Sequence, residues 1–229
     1  MSEPDLVLVA HGTRDPRGVA TVRQLAAAVR AHGVVVHLAF VDVLGPTVAE
    51  VLTTVAGPVV LVPAFLAAGY HVRSDVPAEV RASGHPAVHV SAALGPDPAL
   101  AAVQRVRLLE AGWRPGDAVV LAAVGSGDPL ARDDVHTAAE LLSEELGVPV
   151  RHGYAVAAEP TVRQAVSQLR TEAARRVVIS PYLLAPGLFH AQLGDAGADA
   201  VAAPMGVHPA VVELVLQRYR RGSRPPAAG

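Results

Sequence analysis

The sequence predicts an α/β fold built from two tandem three-layer α/β/α halves, each with its own parallel sheet. Two observations carry this. Short β-branched apolar runs alternate with stretches of helical period, the pattern of strands buried on both faces and covered by helices. The chain also repeats itself: DLVLVAHGTRDPRG (5–18) is answered by DAVVLAAVGSGDP (117–129), and PAFLAAGYHVRSDVP (63–77) by SPYLLAPGLFHAQLG (180–194). Between these pieces FVDVLGPTVAEVL (40–52) matches YAVAAEPTVRQAV (154–166), and the halves close on ALGPDPAL (93–100) and PMGVHPAV (204–211).

The elements follow in order. LVLVA (6–10), VVVHLAFV (34–41), VVLVPAFL (59–66) and AVHVSAAL (87–94) read as buried strands bounded by Gly, Pro or polar residues. Over 18–33, Val22, Leu25, Ala26 and Val29 recur at helical intervals and the run stops at Gly33; over 46–57 a helix opens at Pro46 and ends at Gly57. The second half repeats the scheme with VVLAAV, a helix over 133–146, VRHGYAV, a helix over 160–174, VVISPYLL, a short strand near 199–203 and a final helix over 209–220. The expected division is an N-terminal half, 1–112, a C-terminal half, 117–221, and a disordered tail, 222–229, with GWRPGD (112–117) as the boundary.

Composition narrows the functional classes. With 229 residues, 51% hydrophobic and 17% charged, the chain can bury a substantial core. No apolar run reaches the roughly 18 residues of a membrane span, and MSEPDL lacks the basic residues that precede a secretory core, so neither a membrane nor export is expected. The absence of cysteine excludes disulfides, zinc–thiolate sites and thiol catalysis, and suits a cytoplasmic protein. A net charge of −2 and 3% aromatics disfavour nucleic acid as a partner.

Ligands of open α/β sheets gather beyond the carboxyl ends of the strands. His11 follows the first strand, Asp42 ends the second and His71 lies a few residues beyond the third, so three strand ends bring two imidazoles and a carboxylate to one sheet edge. Imidazole is both a ligand for borderline metals and a base near neutral pH, and a carboxylate can orient it or accept a proton. In the second half Val124 stands opposite His11, Val156 opposite Asp42 and His190 opposite His71. Only the first half keeps the whole polar set, which locates the expected site there.

HGTRDPRG after the first strand, FVDVLGP after the second and FLAAGYHVRSDVP after the third together resemble the class II chelatases of the sirohydrochlorin chelatase family, in its long, tandem-duplicated form. The resemblance spans almost the whole chain. It implies insertion of a divalent metal (Fe2+, Co2+ or Ni2+) as substrate into sirohydrochlorin, an anionic tetrapyrrole held in a cleft between the halves, with no tightly bound cofactor. Family histidines match His11 and His71, which become the expected metal ligands and catalytic residues; a family glutamate matches Asp42, one methylene shorter here.

That chemistry needs a base to take the pyrrole N–H protons and ligands that hold a metal without enclosing it, and two neutral imidazoles serve both needs. The substrate's carboxylates call for guanidinium forks. Arg14, Arg17 and Arg73 flank the histidine loops and are the expected substrate contacts, with His190 lining the cleft; Gly12, Gly69 and Gly187 are expected to let backbone approach the ring. Simpler roles compete: Asp42 as a cap for the helix after Pro46, the arginines as solvated surface, and His32, His37, His85, His89, His136, His152 and His208 as surface or core histidines. A monomer is the expected state. GSGDP (125–129) lacks the spacing of a phosphate loop, and Ala10 replaces the arginine that a histidine-phosphatase turn requires. The alternatives are a non-catalytic carrier of metal or tetrapyrrole and, behind it, a histidine-phosphatase-like hydrolase.

Overall fold

The computed structural model describes residues 3–69, 71–172 and 174–224, with the side chain of His71 also outside the description. The chain packs as two units, Met1–Leu94 with Val212–Gly229, and Gly95–Val211.

The first unit runs β1 (Asp5–Ala10), α1 (Pro16–Arg30), β2 (Val36–Phe40), α2 (Val48–Thr54), β3 (Val59–Pro63), a π-helical turn (His71–Asp75), α3 (Val76–Ser83) and β4 (Val88–Val90). Its strands are parallel in the order β2-β1-β3-β4, with Leu8 of β1 level with Leu38 and Val62. Five consecutive residues of β1 and all five of β3 are buried, which explains why these strands show no alternation in sequence. Val7, Val9, Val59 and Leu61 pack with Val48, Val51 and Leu52 of α2 on one face. On the other face of β1, Leu6 and Leu8 are buried, as are the inward residues Val22, Leu25, Ala26 and Val29 of α1. Each buried valine or leucine contributes about 1.5–3 kcal/mol to holding these layers together.

In the second unit α4 (Pro98–Glu110) is followed by β5 (Ala118–Ala123), α5 (Pro129–Leu146), β6 (Val150–Tyr154), α6 (Val162–Thr171), β7 (Val177–Pro181), α7 (Leu188–Gln192), a 3₁₀ turn (Leu193–Ala196) and β8 (Ala200–Val201). The parallel sheet β6-β5-β7-β8 repeats the first strand order. The chain ends in α8 (Pro209–Gly222).

The expected halves, 1–112 and 117–221, are units of sequence repeat, whereas the packed units exchange their terminal helices. Within the second unit α4 donates Gln104 Nε2 to Ser180 Oγ at 2.9 Å and Arg107 Nη2 to the Met205 carbonyl at 2.9 Å. Within the first, buried Arg218 of α8 donates to the carbonyls of Ala93 and Leu94, and Tyr219 Oη donates to the Pro4 carbonyl at 2.7 Å. Of the expected tail at 222–229, Gly222 is the last residue of α8 and Ser223 donates its amide to Tyr219; residues 225–229 lie outside those described. Strand β2 is shorter than its apolar run: it begins at Val36, and exposed Val35 before it contributes only its carbonyl, which accepts from the Leu6 amide at 2.9 Å. Helix α5 starts at Pro129 rather than 133, because Asp128 caps it.

Candidate functional site at the strand ends

The loop after β1 is built on two capping oxygens and one glycine. Thr13 Oγ1 accepts from the Asp15 amide at 3.1 Å, and Asp15 in turn caps α1 by accepting from the Arg17 amide at 2.9 Å. Gly12 has φ +94°, and a β-carbon there would overlap the Asp42 carbonyl oxygen. Gly12 thereby lets the β1 loop lie directly against the β2 loop, a packing reason for glycine at this position. His11 is exposed; its ring lies 6.2 Å from that of Phe65 beyond β3, at 50°, and its carbonyl accepts from the Asp42 amide at 3.0 Å.

The loop after β2 holds Asp42 at its start. The Asp42 carboxylate accepts from the Val43 amide at 2.7 Å, while Val43 sits in the left-handed region at φ 66° and Leu44 donates back to the Asp42 carbonyl. Helix α2 is capped by Thr47 and Glu50 in a reciprocal capping box, so Asp42 does not cap it. An exposed carboxylate has been left at the strand end, using one oxygen on its own turn.

Beyond β3 the Ala64 amide donates to the Val9 carbonyl at 2.7 Å, and the chain reaches the π-helical turn, where the Val72 and Arg73 amides both donate to Gly69 at 3.1 Å. Backbone distortions of this kind gather at functional sites. The His71 backbone opens this turn; its side chain lies outside those described.

The second unit reproduces this scaffold without its chemistry. The Val156 amide donates to the Val124 carbonyl at 2.9 Å, Gly125 has φ +101° against the Val156 carbonyl, and Ala157 occupies the left-handed region at φ 58°. Ser126 and Asp128 stand in for Thr13 and Asp15, and Thr161 with Gln164 forms the second capping box. GSGDP is thus a helix-capping turn. Glu159, the acid nearest Val156 in sequence, accepts from the Thr161 amide at 3.1 Å.

The three loops share one edge of the first sheet, as the parallel strand order requires. Among the described residues no three of His, Asp and Glu converge as metal ligands, and His71's side chain is not among them. The expected substrate arginines differ in their engagements. Arg17 forks onto Asp15 through Nε at 3.1 Å and Nη2 at 2.8 Å, and that hydrogen-bonded pairing holds the Asp15 carboxyl below its usual range and raises Arg17. Arg73 Nε donates to the Ala68 carbonyl at 2.6 Å. Arg14, exposed, has no hydrogen-bond or ionic partner among the described residues. It lines a groove of about 500 Å³ with Thr13, Pro16, Val19, Ala20, Arg23, Gln24 and Leu44. The sequence reading missed Arg23 and this groove, although Pro16, Val19, Ala20 and Arg23 recur at the spacing of one helix face.

His190 is half-buried on α7, its Nε2 3.2 Å from the Ala202 carbonyl. Several other histidines have local duties: His37 pairs with Asp5 at 2.9 Å, His85 meets the Val55 carbonyl, and His208 accepts from the Ala210 amide. His136 and His152 stack with centroids 4.2 Å apart, and burial, then the charge of His136, lowers the His152 pKa.

A tandem duplication of four-stranded parallel sheets, with one polar strand edge retained, is the chelatase-like α/β class. The CbiX family model matches residues 5–111 and 118–222, and the chain belongs to that family. Among solved structures it is similar to SirB from Bacillus subtilis with Fe3+, at 23% identity and a TM-score of 0.85 over 97% of this chain and 96% of that one. The sirohydrochlorin chelatase SirB from Bacillus subtilis subspecies spizizenii in complex with cobalt matches at 22% identity and a TM-score of 0.80, covering 98% and 97%. CbiX, the terminal enzyme for the biosynthesis of siroheme in denitrifying bacteria, matches at 23% identity and a TM-score of 0.69, covering 95% and 98%. No curated protein matches the chain. Among the described residues no helix is long and apolar enough to cross a membrane.

Proposed function

We propose that the protein is a sirohydrochlorin chelatase that inserts a divalent metal, Fe2+ or Co2+ with Ni2+ as a further candidate, into the metal-free tetrapyrrole. The observation that carries this reading is the CbiX match across both repeats of a chain whose first repeat alone bears histidine and aspartate at its strand ends. His11 and His71 hold the incoming metal and take the pyrrole protons; neutral imidazole binds such ions without closing their coordination sphere. Asp42 presents a carboxylate beside them. Arg14, Arg17 and Arg73 receive the substrate's acids, and His190 contributes to substrate binding. The N-terminal half, 1–112, carries the chemistry; the C-terminal half, 117–221, supports it, so that a monomer suffices. The partners are the tetrapyrrole and the metal, in the cytoplasm, with no nucleic acid, membrane or resident cofactor.

The test is anaerobic metal insertion into sirohydrochlorin, followed by absorbance, with Fe2+, Co2+ and Ni2+ at equal free concentration. Many turnovers per chain with at least one ion support the reading. Binding that stops at one equivalent, without turnover, identifies a carrier.

A further inference from the structure

The groove beside the β1 loop has a composition that the metal chemistry does not explain. Its floor is apolar, made by Val19 and Ala20 on α1 and Leu44 from the β2 loop. Two guanidinium groups line it: Arg14 from the loop three residues after His11, and Arg23 from α1. All 19 basic residues of the chain are arginines, and many are engaged, as in Arg151 with Glu172, Arg170 with Asp199 and Arg176 with Asp117. Arg14 and Arg23 have no such partner among the described residues. Arg23 lies seven residues into α1 from Pro16, two helical turns or about 10 Å from the loop end of that helix.

Arginine left unpaired along an apolar groove fits a ligand that is itself part apolar and part anionic. The guanidinium plane matches a carboxylate bidentately, and the alkyl stem covers the floor. The groove is also open at the right place: Thr13 and Leu44 each lie two residues beyond His11 and Asp42, so it begins where the two site loops meet.

We propose that this groove receives a carboxylate-bearing arm of the tetrapyrrole, with Arg23 as a substrate-binding residue alongside Arg14, an inference that rests on the chelatase reading. The arm's methylenes lie on Val19, Ala20 and Leu44, and its carboxylate pairs with the guanidinium groups. Such a contact is made equally before and during metal insertion, so it governs KM and leaves kcat alone.

The experiment compares the full-length parent with Arg23→Ala, Arg23→Lys and, as control, Arg163→Ala on α6, an exposed arginine that is not among the residues lining the groove. Folding is verified by circular dichroism and melting temperature. In the absorbance assay with Co2+, Arg23→Ala is expected to raise KM about tenfold with kcat within about twofold, Arg23→Lys to lie between, and Arg163→Ala to match the parent. With the fully esterified macrocycle the difference between parent and Arg23→Ala should vanish. A parent that turns over while Arg23→Ala keeps the parent KM overturns the groove assignment alone; an effect that persists on the ester does the same. A parent that neither binds nor metallates sirohydrochlorin overturns the functional reading and the groove together.

Discussion

The amide of Asp42 donates to the carbonyl of His11 at 3.0 Å, while Gly12 packs against the Asp42 carbonyl in a conformation that a side chain would strain. The two loops that carry the candidate chemistry are thereby one backbone unit. Gly12→Ala should cost about 1–3 kcal/mol from the left-handed conformation alone, more with the overlap, and should displace His11 from Asp42. Gly125→Ala makes the same clash against Val156 in a loop that has no histidine or acid at the matching positions. Both variants should melt earlier than the parent, and only Gly12→Ala should lose turnover measured on folded protein. Equal losses of turnover in the two would separate activity from the geometry of the first loop.

Asp42 has a structural bond and a proposed chemical role, and one substitution separates them. Asparagine keeps an oxygen able to accept from the Val43 amide while removing the charge. Asp42→Asn should keep the parent melting temperature and lose about a hundredfold or more in kcat, the range of general-base assistance. Asp42→Ala should lose stability as well, and Asp42→Glu should retain turnover. An asparagine variant at the parent rate would make position 42 a turn residue only.

The sheets were legible because strands buried on both faces leave continuous runs such as LVLVA and VVLVP, and because a duplication states each element twice. Helices α3, α4 and α7 and the π-helical turn were missed: only Val76 of α3 and no residue of the five-residue α7 is fully buried, so their apolar period is weak, while α4 begins within the closing piece ALGPDPAL without being read as an element of its own. The exchange of α4 and α8 was not legible either, since a helix's amphipathic face says that it packs and not upon which sheet. At the site, His11 and Asp42 were placed by their position after strands, whereas the engagement of Arg17 by Asp15 depends on a cap geometry that appears only once α1 begins at Pro16.

That engagement ranks the arginines. Arg14 has no partner to give up among the described residues, whereas Arg17 must leave Asp15 and Arg73 must leave Ala68. Arg14→Ala should raise KM for the tetrapyrrole about tenfold with little change in kcat, and Arg17→Ala and Arg73→Ala by less. Raising the salt concentration should weaken parent binding and narrow the gap. A KM for Arg17→Ala above that of Arg14→Ala would reverse the ranking.

His152 on β6 gives the second unit a pH dependence. Its pKa is lowered in the folded state, first by burial and then by the charge of His136, and its ring also meets Tyr154 edge-on at 5.5 Å. Above the unfolded value, about 6.5, both states are neutral and the contribution to stability is complete; as pH falls below it, the unfolded chain takes up a proton that the folded chain resists. Melting temperature should therefore drop between about pH 7 and about pH 5, and His152→Phe should flatten that drop. Because the His136 charge is the second cause of the His152 shift, His136→Ala is the companion variant and should flatten the drop in part, while Arg132 and Asp133, whose charges reach Tyr154, stay in place in both variants. An unchanged slope in both variants would assign the acid sensitivity elsewhere.

The asymmetry of the repeat leads to the widest functional contrast. His190 stands opposite His71, yet its neighbours across the repeat are Val124 and Val156 where the first half has His11 and Asp42, and its Nε2 lies against the Ala202 carbonyl. An imidazole engaged this way can line a binding surface but lacks the companions for metal or proton handling. His11→Ala and His71→Ala should each lower kcat about a hundredfold or more, since base assistance and ligation are lost together. His190→Ala should change KM more than kcat, and metal and tetrapyrrole should each titrate at one per chain. The check is a set of single-turnover rates and equilibrium titrations on the three folded variants. Two equivalent tetrapyrroles per chain, or a His190→Ala loss in kcat equal to that of His71→Ala, would mean that the second half carries a working site of its own.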